Sequence, residues 1–115
     1  MDEKLKKALE YSKYMITLNN QKRVILEKHN ENLNFYFNGG KFALTYDFLS
    51  FCKLLLDFNQ TSAVLTDVDG TPIEIADLKT FLNTAMSQYV SASNEYLFEY
   101  RKLIKQRSVQ GILNP

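Results

Sequence analysis

Five consecutive residues, Asp67-Val68-Asp69-Gly70-Thr71, have the types and spacing that could carry chemistry in this 115-residue chain. They follow a short apolar run, Ala63-Val64-Leu65-Thr66, and set two carboxylates two positions apart. Carboxylates so spaced can hold a calcium ion, but an EF-hand loop needs about twelve residues ending in a glutamate. Pro72 and the strand-like run after it supply no such glutamate. The same five residues also read as a tight turn. Asp-Gly between apolar strands is a strong hairpin signal, and Pro72, with no amide hydrogen, suits the start of an edge strand.

The string resembles the first motif of the haloacid-dehalogenase phosphohydrolases. That resemblance implies a nucleophilic Asp67, a proton-passing Asp69 and a magnesium ion between them. The family also requires a Ser or Thr after a second strand, a distant Lys or Arg and a further acidic pair, all at the ends of parallel strands. Here Asp77, Glu95 and Glu99 are scattered along one helical pattern. Each strand–helix–strand unit takes about 30 residues, and the stretch from Pro72 onward is largely that helix. We therefore read Asp67, Val68, Asp69, Gly70 and Thr71 as a hairpin turn with Gly70 at positive φ. No catalytic residue, metal site or cofactor is expected, and the chain is expected not to be an enzyme.

Other reactive side chains are sparse. His29 is the only histidine and Cys52 the only cysteine, which falls short of a zinc ligand set. Cys52 lies in an apolar run and reads as a small core residue. Arg101, Lys102, Lys105 and Arg107 cluster near the end of the last helical pattern. They are candidates for phosphate or acidic-partner contacts, although cations there also complement a helix dipole.

Composition limits the partners. The hydrophobic share is 45% and the aromatic share 13%, a folding composition with seven Tyr, eight Phe and no Trp. Net charge is +1 but unevenly spread. Residues 1–40 carry seven basic against five acidic groups, residues 41–75 two against five, and residues 76–115 five against three. Basic ends around an acidic middle favour self-association; a nucleic-acid footprint needs a strongly basic face. A single cysteine permits no internal disulfide. No apolar run approaches the roughly 20 residues of a membrane span, and Met1-Asp2-Glu3-Lys4 lacks a signal-peptide core. A cytoplasmic protein with no membrane partner is expected.

The elements follow from periodicity. Residues 1–38 read as a long helix, with Leu5, Leu9, Met15, Ile16, Leu26, Leu33 and Tyr36 at three- and four-residue steps. Asn38-Gly39-Gly40 stops it. A rival reading folds Leu33–Phe37 and Lys41–Thr45 into a hairpin across Asn-Gly. Thr45 caps a second helix, Tyr46 to Phe58, whose apolar residues leave almost no polar face and predict full burial. A strand precedes that helix, the Asp67–Thr71 hairpin follows it, and the whole occupies residues 39–75. Residues 76–108 form a last long helix and residues 109–115 a loose tail.

In the last helix Ile75, Leu78, Leu82, Ala85, Tyr89, Ala92, Tyr96 and Leu103 make one seam. Met86, Val90, Leu97, Tyr100 and Ile104 make a second stripe of heptad character. Each end helix, unbroken, would span roughly 50 Å, against a diameter of about 35 Å for a compact chain of this size. The surplus points to a break, with Asn19-Asn20 and Ser91–Asn94 as weak points, or to pairing with a second copy.

Four segments, Leu18-Asn19-Asn20-Gln21-Lys22-Arg23, Asn38-Gly39-Gly40, Ser50-Phe51-Cys52 and Ala92-Ser93-Asn94-Glu95-Tyr96-Leu97, resemble small uncharacterised proteins of T4-like marine cyanophages. That resemblance transfers no activity; it implies a phage protein in an infected bacterial cytoplasm, with a phage or host protein partner.

The sequence thus predicts a single mostly helical α+β domain of order α-β-α-β-β-α. It has two long end helices, a buried middle helix and a small antiparallel sheet containing a hairpin. The expected function is non-enzymatic assembly as a homo-oligomer, a dimer first, through Tyr89, Tyr96, Leu97, Tyr100, Leu103 and Ile104. A nucleic-acid accessory role is the alternative.

Overall fold

The computed structural model describes residues 2–113, with side chains to Arg107. Its elements are α1 (Glu3–Asn32), β1 (Asn34–Phe37), β2 (Gly40–Ala43), α2 (Tyr46–Asp57), β3 (Ala63–Thr66), β4 (Pro72–Ile75) and α3 (Leu78–Leu113). The fold is mostly helical α+β with long end helices, as predicted, but in the order α-β-β-α-β-β-α. The chain divides into two units: residues 29–94, and residues 1–28 together with residues 95–115.

Within residues 29–94 the first departure from the sequence reading is at Leu33. The helix ends at Asn32, and Asn34–Phe37 pairs antiparallel with Gly40–Ala43. Asn38 and Gly39 have φ of 48° and 79°. Two successive positive φ values between paired strands are the mark of the two-residue type I′ turn that Asn-Gly favours. The Asn-Gly signal was therefore a hairpin and not a helix stop. Alternation decides it: Phe35 faces inward and Tyr36 outward. Gln88 fixes the junction, its Nε2 donating to the carbonyls of Asn32 (2.9 Å) and Asn34 (2.8 Å).

The strands form two separate two-stranded sheets, β1–β2 and β3–β4, where one small sheet was expected. In the second, Ala63 pairs with Ile75 and Thr66 with Pro72. Between the hairpins Gly40 is indispensable for its smallness. A Cβ there would lie 2.7 Å from Ile73 Cγ1 and 3.4 Å from Asp67 Cβ.

α2 is capped at both ends. Thr45 Oγ1 accepts from the Phe48 amide at 3.1 Å, as its position before the helix predicts. At the other end Asn59 takes φ 65°, its amide donates to Leu56 and the Gln60 amide donates to Leu55. This is a Schellman closure with asparagine in place of glycine. The expected full burial of α2 is incorrect. Leu49 and Cys52 are buried, while Phe51, Leu54 and Phe58 lie 50%, 50% and 70% exposed on the opposite face. Apolar composition alone does not say whether both faces have something to pack against.

α3 starts at an N-cap, Asp77, whose carboxylate accepts from the Thr80 amide (3.1 Å) and hydroxyl (2.8 Å). Its buried residues Leu78, Phe81, Leu82 and Ala85 meet Phe35, Phe42, Leu44, Leu65, Ile73 and Ile75 in one core. Phe81, 1% exposed, is the hub. Its ring lies 5.2 Å from that of Phe35, 5.1 Å from Phe37, 5.5 Å from Phe42 and 6.2 Å from Phe48.

In the other unit, the α1 and α3 segments run antiparallel. Lys28 Nζ meets Glu95 Oε1 at 3.1 Å, Lys22 sits over the Tyr100 ring, and Arg107 donates to Gln21 Oε1. No break occurs at Asn19-Asn20 or at Ser91–Asn94, and α3 continues through the expected tail to Leu113. Among the described residues only Leu18 and Leu103 of this unit are buried.

Phe81→Ala should cost about 3–5 kcal/mol in denaturant unfolding, the loss expected of a buried Phe at the centre of a core. Gly40→Ala should cost about 1–3 kcal/mol, because its methyl group would meet Cγ1 and Cδ1 of Ile73, a buried side chain stiff at χ1. Unfolding midpoints within error of the parent would contradict both.

Candidate functional site

Asp67 is the natural place to look for chemistry, and its partners are mainly backbone amides, with the Thr71 side chain beside them. Oδ1 accepts from the amides of Asp69 (3.0 Å) and Thr71 (2.9 Å), and Oδ2 accepts from the amide of Lys41 (3.1 Å). The first two bonds close the loop; the third reaches the neighbouring hairpin. The Val68 amide donates to the Lys41 carbonyl at 2.9 Å, so both outward backbone groups of Lys41 are satisfied by the Asp67–Val68 step. Asn38 Nδ2 adds a bond to the Glu74 carbonyl at 3.2 Å. The carboxylate takes the place a strand carbonyl would occupy in a continuous sheet.

The loop has a definite form. The Gly70 amide donates to the Asp67 carbonyl (3.1 Å) and the Asp67 amide to the Thr71 carbonyl (2.9 Å). Gly70 has φ 82°, while Val68 and Asp69 are not among the residues with positive φ. The turn therefore spans Val68-Asp69-Gly70 with glycine at its left-handed closing position, the G1-bulge form. This is the Asp67–Thr71 hairpin turn of the sequence reading, with Gly70 at positive φ as expected, and Asp67 closes it by bonding forward to its own loop amides. Asp69 projects from the loop as an exposed residue.

These bonds set the electrostatics. The amides of Thr71 and Lys41 hold the Asp67 carboxyl below its ordinary value of 3.8, and burial opposes them only in part. The Thr80 amide and hydroxyl lower Asp77 in the same direction. A carboxylate accepting three amide bonds is a weak base, and its attack on phosphorus would require giving those bonds up. Cys52 is fully buried, and desolvation pushes its thiol up to about 11. Among the described residues no group of three or more His, Cys, Asp or Glu is gathered in a way that could hold a metal ion, and no helix is long and apolar enough to cross a membrane.

The basic cluster is divided. Arg107 is held by Gln21 and lies over the Tyr14 ring, while Arg101, Lys102 and Lys105 are exposed. Lys102 lines an open groove of about 450 Å³ between α1 and α3, with Gln21, Glu99 and the apolar Val24, Ile25 and Leu103. The four cations do not form one face.

The six residues expected at an oligomer interface also separate. Leu103 is buried inside its own unit, so it is not available to a partner as placed. Tyr96 and Tyr100 are half-buried and pack ring to ring, and Tyr89 is half-buried against Tyr46. Tyr89, Tyr96 and Leu103 belong to the seam, whose residues the chain itself takes up, and Tyr100 to the second stripe. Leu97 is exposed and Ile104 half-exposed. Sequence reasoning missed Met15 and Leu26 of α1 as their companions. Counted at about 100° per residue from the inward Leu18 and Leu103, these four side chains turn to one side of the helix pair. The open groove lies on the other.

No protein-family model, curated protein or solved structure matches the chain.

Asp67 should contribute to acid sensitivity with a definite sign. Its folded value is depressed, so the stabilisation is present above the ordinary carboxylate value near 3.8 and is lost as pH falls through the folded value. Asp67→Asn should therefore lower the thermal midpoint at neutral pH and flatten its fall between about pH 5 and pH 2. Parallel acid profiles for the two proteins would contradict this role for the carboxylate.

Proposed function

We propose that this is a non-enzymatic interaction and assembly protein that works as a homo-oligomer, a dimer in the first instance, through its end helices. One observation carries the reading. The unit formed by residues 1–28 and 95–115 buries only Leu18 and Leu103 among its described residues, yet leaves Leu5, Leu9, Ile16, Val24, Leu26, Leu97 and Phe98 exposed. Short isolated helices are marginal in water, and most helical stability comes from packing an apolar face. Two buried leucines fall well short of offsetting the chain entropy of so many ordered residues. A second copy, packing its own Met15, Leu26, Leu97 and Ile104 against the same four, supplies the missing contacts by two-fold symmetry.

The engagement of Asp67 with backbone amides supports a structural rather than a catalytic use of the aspartate string. The scattered cations favour protein over nucleic acid as the partner. The cyanophage resemblance fits an assembly role in an infected bacterial cytoplasm, and a phage or host protein could share the same face.

Sedimentation velocity at micromolar concentration should give a dimer or larger species. Leu26→Glu with Leu97→Glu should weaken association tenfold or more, since two charges would be buried without partners. A monodisperse monomer of the parent protein overturns the proposal.

A further inference from the structure

Among the described residues, nothing buries the first three turns of α1. Every residue from Asp2 to Lys13 is exposed, and the segment nevertheless carries a one-sided pattern. At about 100° per residue, Leu5, Leu9 and Ile16 fall within roughly 40° of one another, nearly opposite the inward Leu18. Lys6 and Lys13 flank this stripe on one side, and Asp2–Lys13 holds four lysines against three acidic residues.

A second uncovered stripe lies on α2. Phe51, Leu54 and Phe58 recur at three- and four-residue steps, within a sector of roughly 60°, opposite the buried Leu49 and Cys52. Three anchors so spaced are the form in which a helix face meets a complementary apolar surface. Asp47 heads the same line and Asp57 stands on its flank, paired with Lys53 at 2.9 Å. The stretch around α2, residues 41–75, carries five acidic against two basic groups.

We infer that the leading segment of α1 docks on the α2 face of a second copy, Leu5, Leu9 and Ile16 against Phe51, Leu54 and Phe58, with Lys6 and Lys13 toward Asp47 and Asp57. Charge selects this occupant. Laid antiparallel on its own counterpart, the α1 segment sets Lys6 against Lys13 across the seam, and laid parallel it finds no acidic residue there. The α2 face offers both apolar anchors and opposite charge. The contact joins unlike surfaces, so it can extend an assembly beyond a two-fold pair. It rests on the self-association reading and adds a second, separate contact to it.

Cross-linking tests this in the full-length chain. A Leu9→Cys protein is mixed with a Leu54→Cys protein and oxidised; both positions are exposed, and the buried Cys52 stays out of reach of the reagent. The expected result is a mixed disulfide between the two variants and none from Leu9→Cys alone. Lys6→Glu with Lys13→Glu should weaken association about tenfold, and Asp47→Lys in the partner should restore much of it. Leu9→Cys cross-linking to itself identifies an α1–α1 contact and overturns the inference. So does an oligomer, seen by sedimentation, that gives no mixed product; in that case self-association stands and this contact falls. A monomeric parent removes both.

Discussion

Phe81 is the residue on which the folded region depends. Its ring receives Phe35 and Phe37 from one strand, Phe42 from the next and Phe48 from the middle helix. Aromatic pairs at such distances add to the burial of their area and fix relative angles. The edge-on approaches of Phe37, Phe42 and Phe48 leave one orientation for α3 beneath the first hairpin. This cluster takes up five of the eight phenylalanines, whereas Phe51, Phe58, Phe98, Tyr11, Tyr36 and Tyr46 stay exposed.

Polar chemistry completes what the rings begin. Two small hairpins packed side by side leave an edge strand with unpaired backbone groups, and such edges need cover. Asp67 and Val68 provide it for Lys41, and Gly40 lets the two chains approach closely enough for the bonds to form. A motif that looks like a phosphotransfer signature is thus employed as a sheet edge. The ionised carboxylate suits this task because it accepts several amides at once.

Local signals were legible wherever one residue type answers to one backbone need. Thr45 as a cap, Gly70 at positive φ, the Asp67–Thr71 turn and the inward seam of α3 could all be read directly. The Asn38-Gly39 turn was misread because the dipeptide serves helix ends and hairpins alike, and Leu33 and Tyr36 happened to fall at helical spacing. The middle helix was misread for a different reason. Periodicity reports which residues are apolar, whereas burial depends on how many neighbours arrive, and only one side of α2 receives them. The same limit applied to the candidate interface: Leu103 and Leu97 look alike in sequence, and only the placement of α1 separates them.

The helix pair is discontinuous along the chain, since its two strands of sequence are separated by the whole of residues 29–94. Bringing distant segments together carries a loop-closure cost that grows with the length of flexible chain between them. When that intervening chain is itself folded, it ceases to be a flexible loop and becomes a tether. Residues 29–94 thereby set the effective concentration at which one end helix meets the other, much as a linker does for two binding modules. The Gln88 side chain, holding the carbonyls on either side of the α1–β1 junction, sits where that tether begins. Its two hydrogen bonds join the end of α1 and the start of β1 to the part of α3 that lies within residues 29–94.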